Sequence, residues 1–376
     1  MIVGHGDDLW RFGRAIVANF SSNVYGGVDL TALKEHLSHH MEAISHYPEP
    51  EPYTLEKALA ALHGIDPECV CATSGATEAI YLIALAWRGA RSTILQPTFS
   101  EYADACRLHG HSVAGITEPP CQAVRNGTLT GGDETLAIGN ESPAGGDETL
   151  AGSDRPDLFW LCNPNNPDGR VIPKGQLKAR IASNPDTIFV IDQSYGFFTE
   201  DPLLTPTEAI AAGNVLQLHS MTKRYAMPGL RLGYVTGARA LIERIRNVRM
   251  PWSVNALAIE AGLYLANNPD TAPIDKPALL KEAQRLRNAL GSLPGIRVEP
   301  TRTHFMLCHL EPVTDADQQT RQGTAASLKQ YLAREHGLLI RDASNFEGLT
   351  AGHFRIAAQT PKENDLLINA IREYLK

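Results

Sequence analysis

No apolar run in these 376 residues approaches the roughly 20 that a membrane-spanning helix needs. The first residues, Met1-Ile2-Val3-Gly4-His5-Gly6-Asp7-Asp8, carry no basic stretch ahead of an apolar one, so no export signal is expected and the chain reads as soluble. An excess of positive charge is also missing. Lys and Arg total 34 against 42 Asp and Glu, a net charge of -8, which removes the sequence-independent attraction to nucleic acid and anionic lipid. Any anionic ligand must be held by a few local donors. The six cysteines, Cys69, Cys71, Cys106, Cys121, Cys162 and Cys308, lack CxxC spacing, so neither a disulfide framework nor a zinc site is indicated and a reducing cytoplasm is expected. His36, His39 and His40 fall within one short stretch and read as a solvated helix face; no metal is assigned.

What is present is an ordinary globular composition, 43% hydrophobic and 20% charged, in a chain long enough for two unequal domains. From about residue 54 to 240, helical patterns alternate with short apolar runs, the signature of an α/β domain with a largely parallel sheet. Strands are expected at Cys69 to Thr73, Thr93 to Gln96, Ser112 to Ile116, Leu158 to Cys162, Ile188 to Asp192, Val215 to His219 and Arg231 to Thr236. Helices are expected at Leu55 to His63, with Thr54 as N-cap, and at Glu78 to Arg88, stopped by Gly89. After Pro251 the pattern changes. Helices at Leu257 to Leu265, Leu279 to Leu290, Ala325 to Glu335 and Glu363 to Tyr374, with strands at Ile296 to Glu299 and Phe305 to His309, predict a smaller α+β domain. The heptapeptide Gly-Gly-Asp-Glu-Thr-Leu-Ala occurs at 131–137 and again at 145–151, in a stretch with five acids and no bases; 131–152 reads as an exposed, mobile insertion.

The strongest local signal is Ser220-Met221-Thr222-Lys223-Arg224-Tyr225-Ala226-Met227-Pro228-Gly229-Leu230-Arg231. A lysine just past a strand end, flanked by hydroxyls and followed eight residues later by an arginine, suits a cofactor that needs an imine partner and phosphate donors together. Asp192 closes the run Val190-Ile191-Asp192, with Tyr195 three residues on, and Asn163-Pro164-Asn165-Asn166-Pro167-Asp168-Gly169 follows a strand. Thr73-Ser74-Gly75-Ala76-Thr77-Glu78 joins a strand to an apolar helix, where backbone amides can receive a phosphate.

Together, these segments resemble the fold-type I aminotransferases, which use pyridoxal 5'-phosphate. The resemblance implies a large domain with a mostly parallel seven-stranded sheet flanked by helices and a smaller α+β C-terminal domain. It implies an N-terminal segment over 1–45 that packs with the small domain and the active site, a cofactor-binding domain over 46–254 and a small domain over 255–376. Lys223 would bind the cofactor covalently, Asp192 would keep its ring nitrogen protonated, and Asn166 and Tyr195 would reach its phenolic oxygen. Gly75, Ala76, Thr77, Ser220, Thr222 and Arg231 would form the phosphate cup and Phe99 would stack on the ring. Tyr47 would reach the cofactor phosphate of a second subunit, which implies a homodimer with shared active sites. Arg355, in Gly352-His353-Phe354-Arg355-Ile356, would grip the substrate carboxylate. Asp168 stands where many relatives have threonine, a change expected to affect the turn more than catalysis.

Within the family the chain looks closest to the histidinol-phosphate aminotransferases and threonine-phosphate decarboxylases. His5 and Gly6, with Asn23 and Tyr25 of Asn19-Phe20-Ser21-Ser22-Asn23-Val24-Tyr25, resemble the decarboxylases more, and with Arg341 they would form a second anion site for a substrate phosphate. The reaction expected is decarboxylation of a small phosphorylated amino acid, L-threonine O-3-phosphate to (R)-1-amino-2-propanol O-2-phosphate, as in cobalamin-type biosynthesis. The alternatives are transamination of histidinol phosphate or a related amino acid with 2-oxoglutarate, and a cofactor-binding regulator without turnover.

Overall fold

In the run Leu158-Phe159-Trp160-Leu161-Cys162 every side chain is buried, which a strand achieves only when both faces of its sheet are covered. That run is one of seven strands in a mixed, mainly parallel sheet. The computed structural model describes residues 6–12, 16–117, 155–314, 320–321 and 323–376; His5, Cys121 and the repeat at 131–152 lie outside them. The chain begins with β1 (Ala18–Asn19), α1 (Thr31–His39) and α2 (Tyr53–His63). The α/β part follows as β2 (Val70–Thr73), α3 (Gly75–Ala86), β3 (Arg91–Gln96), α4 (Glu101–Leu108), β4 (Ser112–Thr117), β5 (Leu158–Cys162), α5 (Lys174–Ser183), β6 (Ile188–Asp192), α6 (Pro206–Ala212), β7 (Val215–Ser220), α7 (Met221–Arg224), β8 (Gly233–Gly237) and α8 (Arg239–Arg246). The C-terminal part contains α9 (Ala256–Asn267), α10 (Lys276–Gly291), β9 (Ile296–Val298), β10 (Phe305–Leu310), β11 (Val313–Thr314), β12 (Thr320–Arg321), α11 (Ala325–Tyr331), β13 (Leu338–Leu339), β14 (Arg341–Asp342), β15 (His353–Ala357) and α12 (Pro361–Tyr374).

The large sheet has the order β2-β8-β7-β6-β5-β3-β4, with β8 antiparallel to both of its neighbours and the other pairs parallel. Cys162, Asp192 and Leu218 are register partners, so the segments after β5, β6 and β7 leave from the same edge of the sheet. Ligands of open α/β sheets bind outside the carboxyl ends of the strands, and that edge holds the site described below. The smaller sheet, β14-β15-β10-β9, is antiparallel and packs Met306, Phe354 and Ile356 against Leu286, Leu328 and Leu367. The N-terminal segment joins this second core: β1 pairs with β13, and Phe20 is fully buried in it. Among the described residues, no helix is long and apolar enough to cross a membrane.

Several element ends differ from the sequence expectation for identifiable reasons. Thr54 is not an N-cap: α2 starts at Tyr53 behind Pro52, and the Thr54 backbone N–H and hydroxyl both donate to Glu49. α3 starts three residues early, at Gly75, which makes the presumptive phosphate turn its first turn. It ends at Ala86, and Gly89 sits beyond its end with φ +77°. β8 begins only at Gly233, because Arg231 takes a left-handed φ of +57° that breaks the strand. The helix expected over Ala325 to Glu335 is α-helical to Tyr331 and continues as a π-helical turn, Leu332–His336, before Gly337 at φ +66°.

One buried ionic cluster ties the helices to the edge of the large sheet. Glu56 of α2 accepts from Arg249 Nη1 at 2.7 Å, Arg246 Nη2 at 2.8 Å and the Ala72 backbone N–H at 2.9 Å. Arg246 also meets Glu68 at 2.8 Å, so the guanidinium charges face carboxylates.

Candidate active site

Carboxyl-terminal strand ends, the first turn of α3 and the N-terminal segment enclose a cavity of about 330 Å³. Its lining includes fourteen of the residues anticipated from sequence: Gly6, Asn23, Ala76, Thr77, Phe99, Asn166, Asp192, Tyr195, Ser220, Thr222, Lys223, Arg231, Arg341 and Arg355. Tyr25 lies outside it, lining a neighbouring cleft with Gln359 and Glu363. Tyr47 is also outside: its side chain is 87% exposed and packs its ring at 5.5 Å from that of Trp252.

Lys223 lies in α7, the single helical turn that follows β7, and its ammonium sits 5.9 Å over the Tyr195 ring. Burial, reinforced by the positive charges of Arg355 and Arg231, lowers its pKa to about 8. An amine so placed is available in neutral form near pH 8, as an imine-forming lysine requires. Asp192 ends β6 and is buried; its carboxylate accepts from the Tyr102 hydroxyl at 2.7 Å and from the Ser194 backbone N–H at 2.8 Å. Burial raises its pKa, against the pull of those two bonds and of Lys223. A nearby cation would favour its ionised form.

The first turn of α3 offers free amides, and Gly75 allows a close approach. Its φ is +82°, and a Cβ there would stand 2.7 Å from Arg231 Nη2, so the guanidinium lies directly over the helix start. Thr222 Oγ1 is buried nearby in the lining with no hydrogen-bond partner. Helix start, arginine and orphaned hydroxyl together make an anion cradle.

A second cationic group faces the same cavity. Arg341 on β14 and Arg355 on β15 are direct register partners. Arg355 donates to Asn166 Oδ1 and to the Ser21 carbonyl at 2.6 Å, while its Nε has no partner; Arg341 donates to Asn345 at 2.9 Å. Burial lowers both pKa values to about 10, with Arg341 adding to the effect on Arg355. Gly6 closes over Arg341, whose Cδ would lie 3.1 Å from a Cβ at that position. Asp8 holds this N-terminal stretch in place through a buried pair with Lys329 at 2.7 Å.

Asn166 owes its position to a braced turn. Asn165 donates to the Pro97 carbonyl and to Asp168 Oδ1, both at 2.9 Å, and Asp168 also accepts from the Arg170 N–H, so its bonds serve the turn. Sequence reasoning missed Tyr102, Ser194, Ser21 and Phe346. Tyr102 had one signal, an aromatic in the first turn of the helix after Phe99, but its partner Asp192 is remote in the chain.

A family profile described as aminotransferase class I and II matches residues 15–371. The chain is 30% identical to a threonine-phosphate decarboxylase of Salmonella typhimurium over 95% of its length and 91% of that protein. It is 28% identical to a histidinol-phosphate aminotransferase of a Thermoanaerobacter species over 88% of its length and 84% of that protein. Among solved structures it resembles L-threonine-O-3-phosphate decarboxylase from Porphyromonas gingivalis, with a TM-score of 0.82 and 36% identity, covering 96% of this chain and 99% of that one. Pyridoxal 5'-phosphate fits the groups present: a buried amine of lowered pKa, a buried carboxylate, a stacking aromatic and the cradle of Gly75, Thr222 and Arg231. The chain belongs to the class I and II aminotransferase family and is a pyridoxal-phosphate-dependent enzyme.

Proposed function

We propose that the enzyme decarboxylates a small amino acid bearing a phosphate, L-threonine O-3-phosphate, to (R)-1-amino-2-propanol O-2-phosphate. The observation that carries this reading is the register pair Arg341 and Arg355, two buried guanidinium groups on one cavity wall, neither in an ion pair with a carboxylate among the described residues. Like charges directly opposite on neighbouring strands are destabilising, and buried ones more so, so the pair calls for an anionic ligand. A phosphorylated amino acid brings two anions, one for each arginine. Histidinol phosphate has a phosphate and no carboxylate, and would leave one arginine without a partner.

The bound cofactor supplies an electron sink for the pair released when a bond at Cα breaks. In this reading Lys223 would anchor the cofactor, Asp192, braced by Tyr102 and Ser194, would keep its ring nitrogen protonated, and Asn166 and Tyr195 would serve its phenolic oxygen. Ala76, Thr77, Ser220, Thr222 and Arg231 would hold its phosphate beside Gly75, and Phe99 would stack on the ring. Arg355 binds the substrate carboxylate, while Arg341, beside Gly6 and Asn23, takes the substrate phosphate. As carbon dioxide leaves, the Lys223 ammonium delivers the proton that replaces it at Cα. Tyr47, exposed beside Trp252, with Met41 and Ile44 exposed in the same stretch of chain, is proposed to enter the site of a second copy, which makes the working enzyme a homodimer. A cytoplasmic setting and a step in cobalamin-type biosynthesis belong to the same proposal.

The test is mass spectrometry of products after incubating cofactor-loaded enzyme with L-threonine O-3-phosphate, with and without 2-oxoglutarate. Aminopropanol phosphate formed without the oxo acid is the expected result. A product that forms only with 2-oxoglutarate overturns the decarboxylase and leaves transamination, which the 28% identity to a histidinol-phosphate aminotransferase supports.

A further inference from the structure

Helices α1 and α9 pack along each other, one from the N-terminal segment and one from the start of the C-terminal part. At that seam His36 and His40, one helical turn apart, stack with ring centroids 4.1 Å apart, and Glu260 of α9 brings a carboxylate oxygen to 3.9 Å from His36 Nε2. One ligand atom from each of the three residues lies within 4.8 Å of the other two. In the sequence these histidines read as a solvated face, because the acid that meets them is far along the chain. None of the three lines the cofactor cavity.

Two details distinguish this group from a chance approach of polar side chains. His40 Nδ1 lies 2.8 Å from the His36 carbonyl oxygen; it therefore carries the proton, and Nε2 keeps a free lone pair. His36 Nε2 is buried without a hydrogen-bond partner, and its ring is fixed against Tyr264 at 4.3 Å.

We propose that His36, His40 and Glu260 form a zinc site that clips α1 to α9, with water completing the tetrahedron. Two imidazoles and a carboxylate are a common zinc donor set, bound at about 2.0–2.2 Å. Tetrahedral donors then lie about 3.3 Å apart, so from separations of at most 4.8 Å the side chains close in by up to about 1.5 Å through side-chain rotation.

The test uses the full-length, cofactor-loaded enzyme, stripped of metal by chelator and dialysed against micromolar zinc chloride, with bound zinc measured by elemental analysis. The wild type is expected to take up one zinc per chain. His40→Gln and Glu260→Gln should each weaken binding at least about tenfold, while His39→Gln, an exposed neighbour outside the triad, should bind as the wild type does. Zinc should raise the melting temperature of the wild type and of His39→Gln, and leave that of Glu260→Gln unchanged. No zinc in the wild type, equal zinc in all variants, or loss in only one of the two ligand variants overturns the three-residue site.

Discussion

Among the described residues three arginines are buried, Arg249, Arg341 and Arg355, and with the partly buried Arg246 they fall into two pairs that behave in opposite ways. At Arg246 and Arg249 burial works against the charged form, but Glu56 and Cys71 outweigh it and both pKa values end above the ordinary arginine value. At Arg341 the more distant Asp342 and Asp8 offset burial only in part, at Arg355 burial is reinforced by Arg341, and both fall to about 10. The first pair is matched by the chain itself and joins α2 and α8 to β2. The second has no ion-pair partner among the described residues, and under the proposed function a ligand's anions would offset its burial cost on binding. Paired charge here serves the fold, and charge without an ion pair lines the cavity.

The largest effect should come from Lys223, a third cation in this cavity, whose burial Asp7 and Asp192 offset only in part. Lys223→Ala is expected to cut product formation by at least about 10⁴-fold, while the cofactor-free variant melts no lower than the parent. A destabilised variant would show that Lys223 supports the fold and would break the contrast. In the paired cluster the expectation reverses. Glu56→Gln should cost about 3–5 kcal/mol in urea unfolding, because two guanidinium groups lose the buried carboxylate they share, with kcat/KM of the folded enzyme unchanged.

A pH titration sharpens the same point. With a folded pKa of about 8 against an ordinary 10.5, Lys223 in the cofactor-free enzyme holds fewer protons folded than unfolded between those values. Stability contributed by this residue therefore rises with pH across that window, by about 3 kcal/mol in all. The difference between wild type and Lys223→Met should show that rise, and parallel curves would refute the lowered lysine pKa. The smallest expected effect is on affinity. Arg341→Gln should raise KM for L-threonine O-3-phosphate about 10- to 100-fold, equivalent to 1.5–3 kcal/mol, with no loss of stability. An unchanged KM would remove Arg341 from phosphate binding.

Elements whose signals are local were legible in the chain. The ends of β5 and β6 were placed from apolar runs closed by polar residues, and the lysine turn after β7 from its hydroxyls and its arginine. The start of α2 was not, because Glu49 draws the Thr54 hydroxyl away from the cap. Nor was the bond from Tyr102 to Asp192, which exists only because β3 and β5 are neighbours in the sheet and β6 lies next to them. The pairing of Arg341 with Arg355 is likewise a matter of strand register, which no local pattern encodes.

The sequence by itself determined the class of fold, the family and the order of the chemical landmarks, since period, punctuation and short motifs are properties of neighbouring residues. Tertiary structure alone decided which charges were to be compensated. Whether a buried arginine meets a glutamate or another arginine depends on which strands and helices become neighbours, and those contacts join residues far apart in the chain.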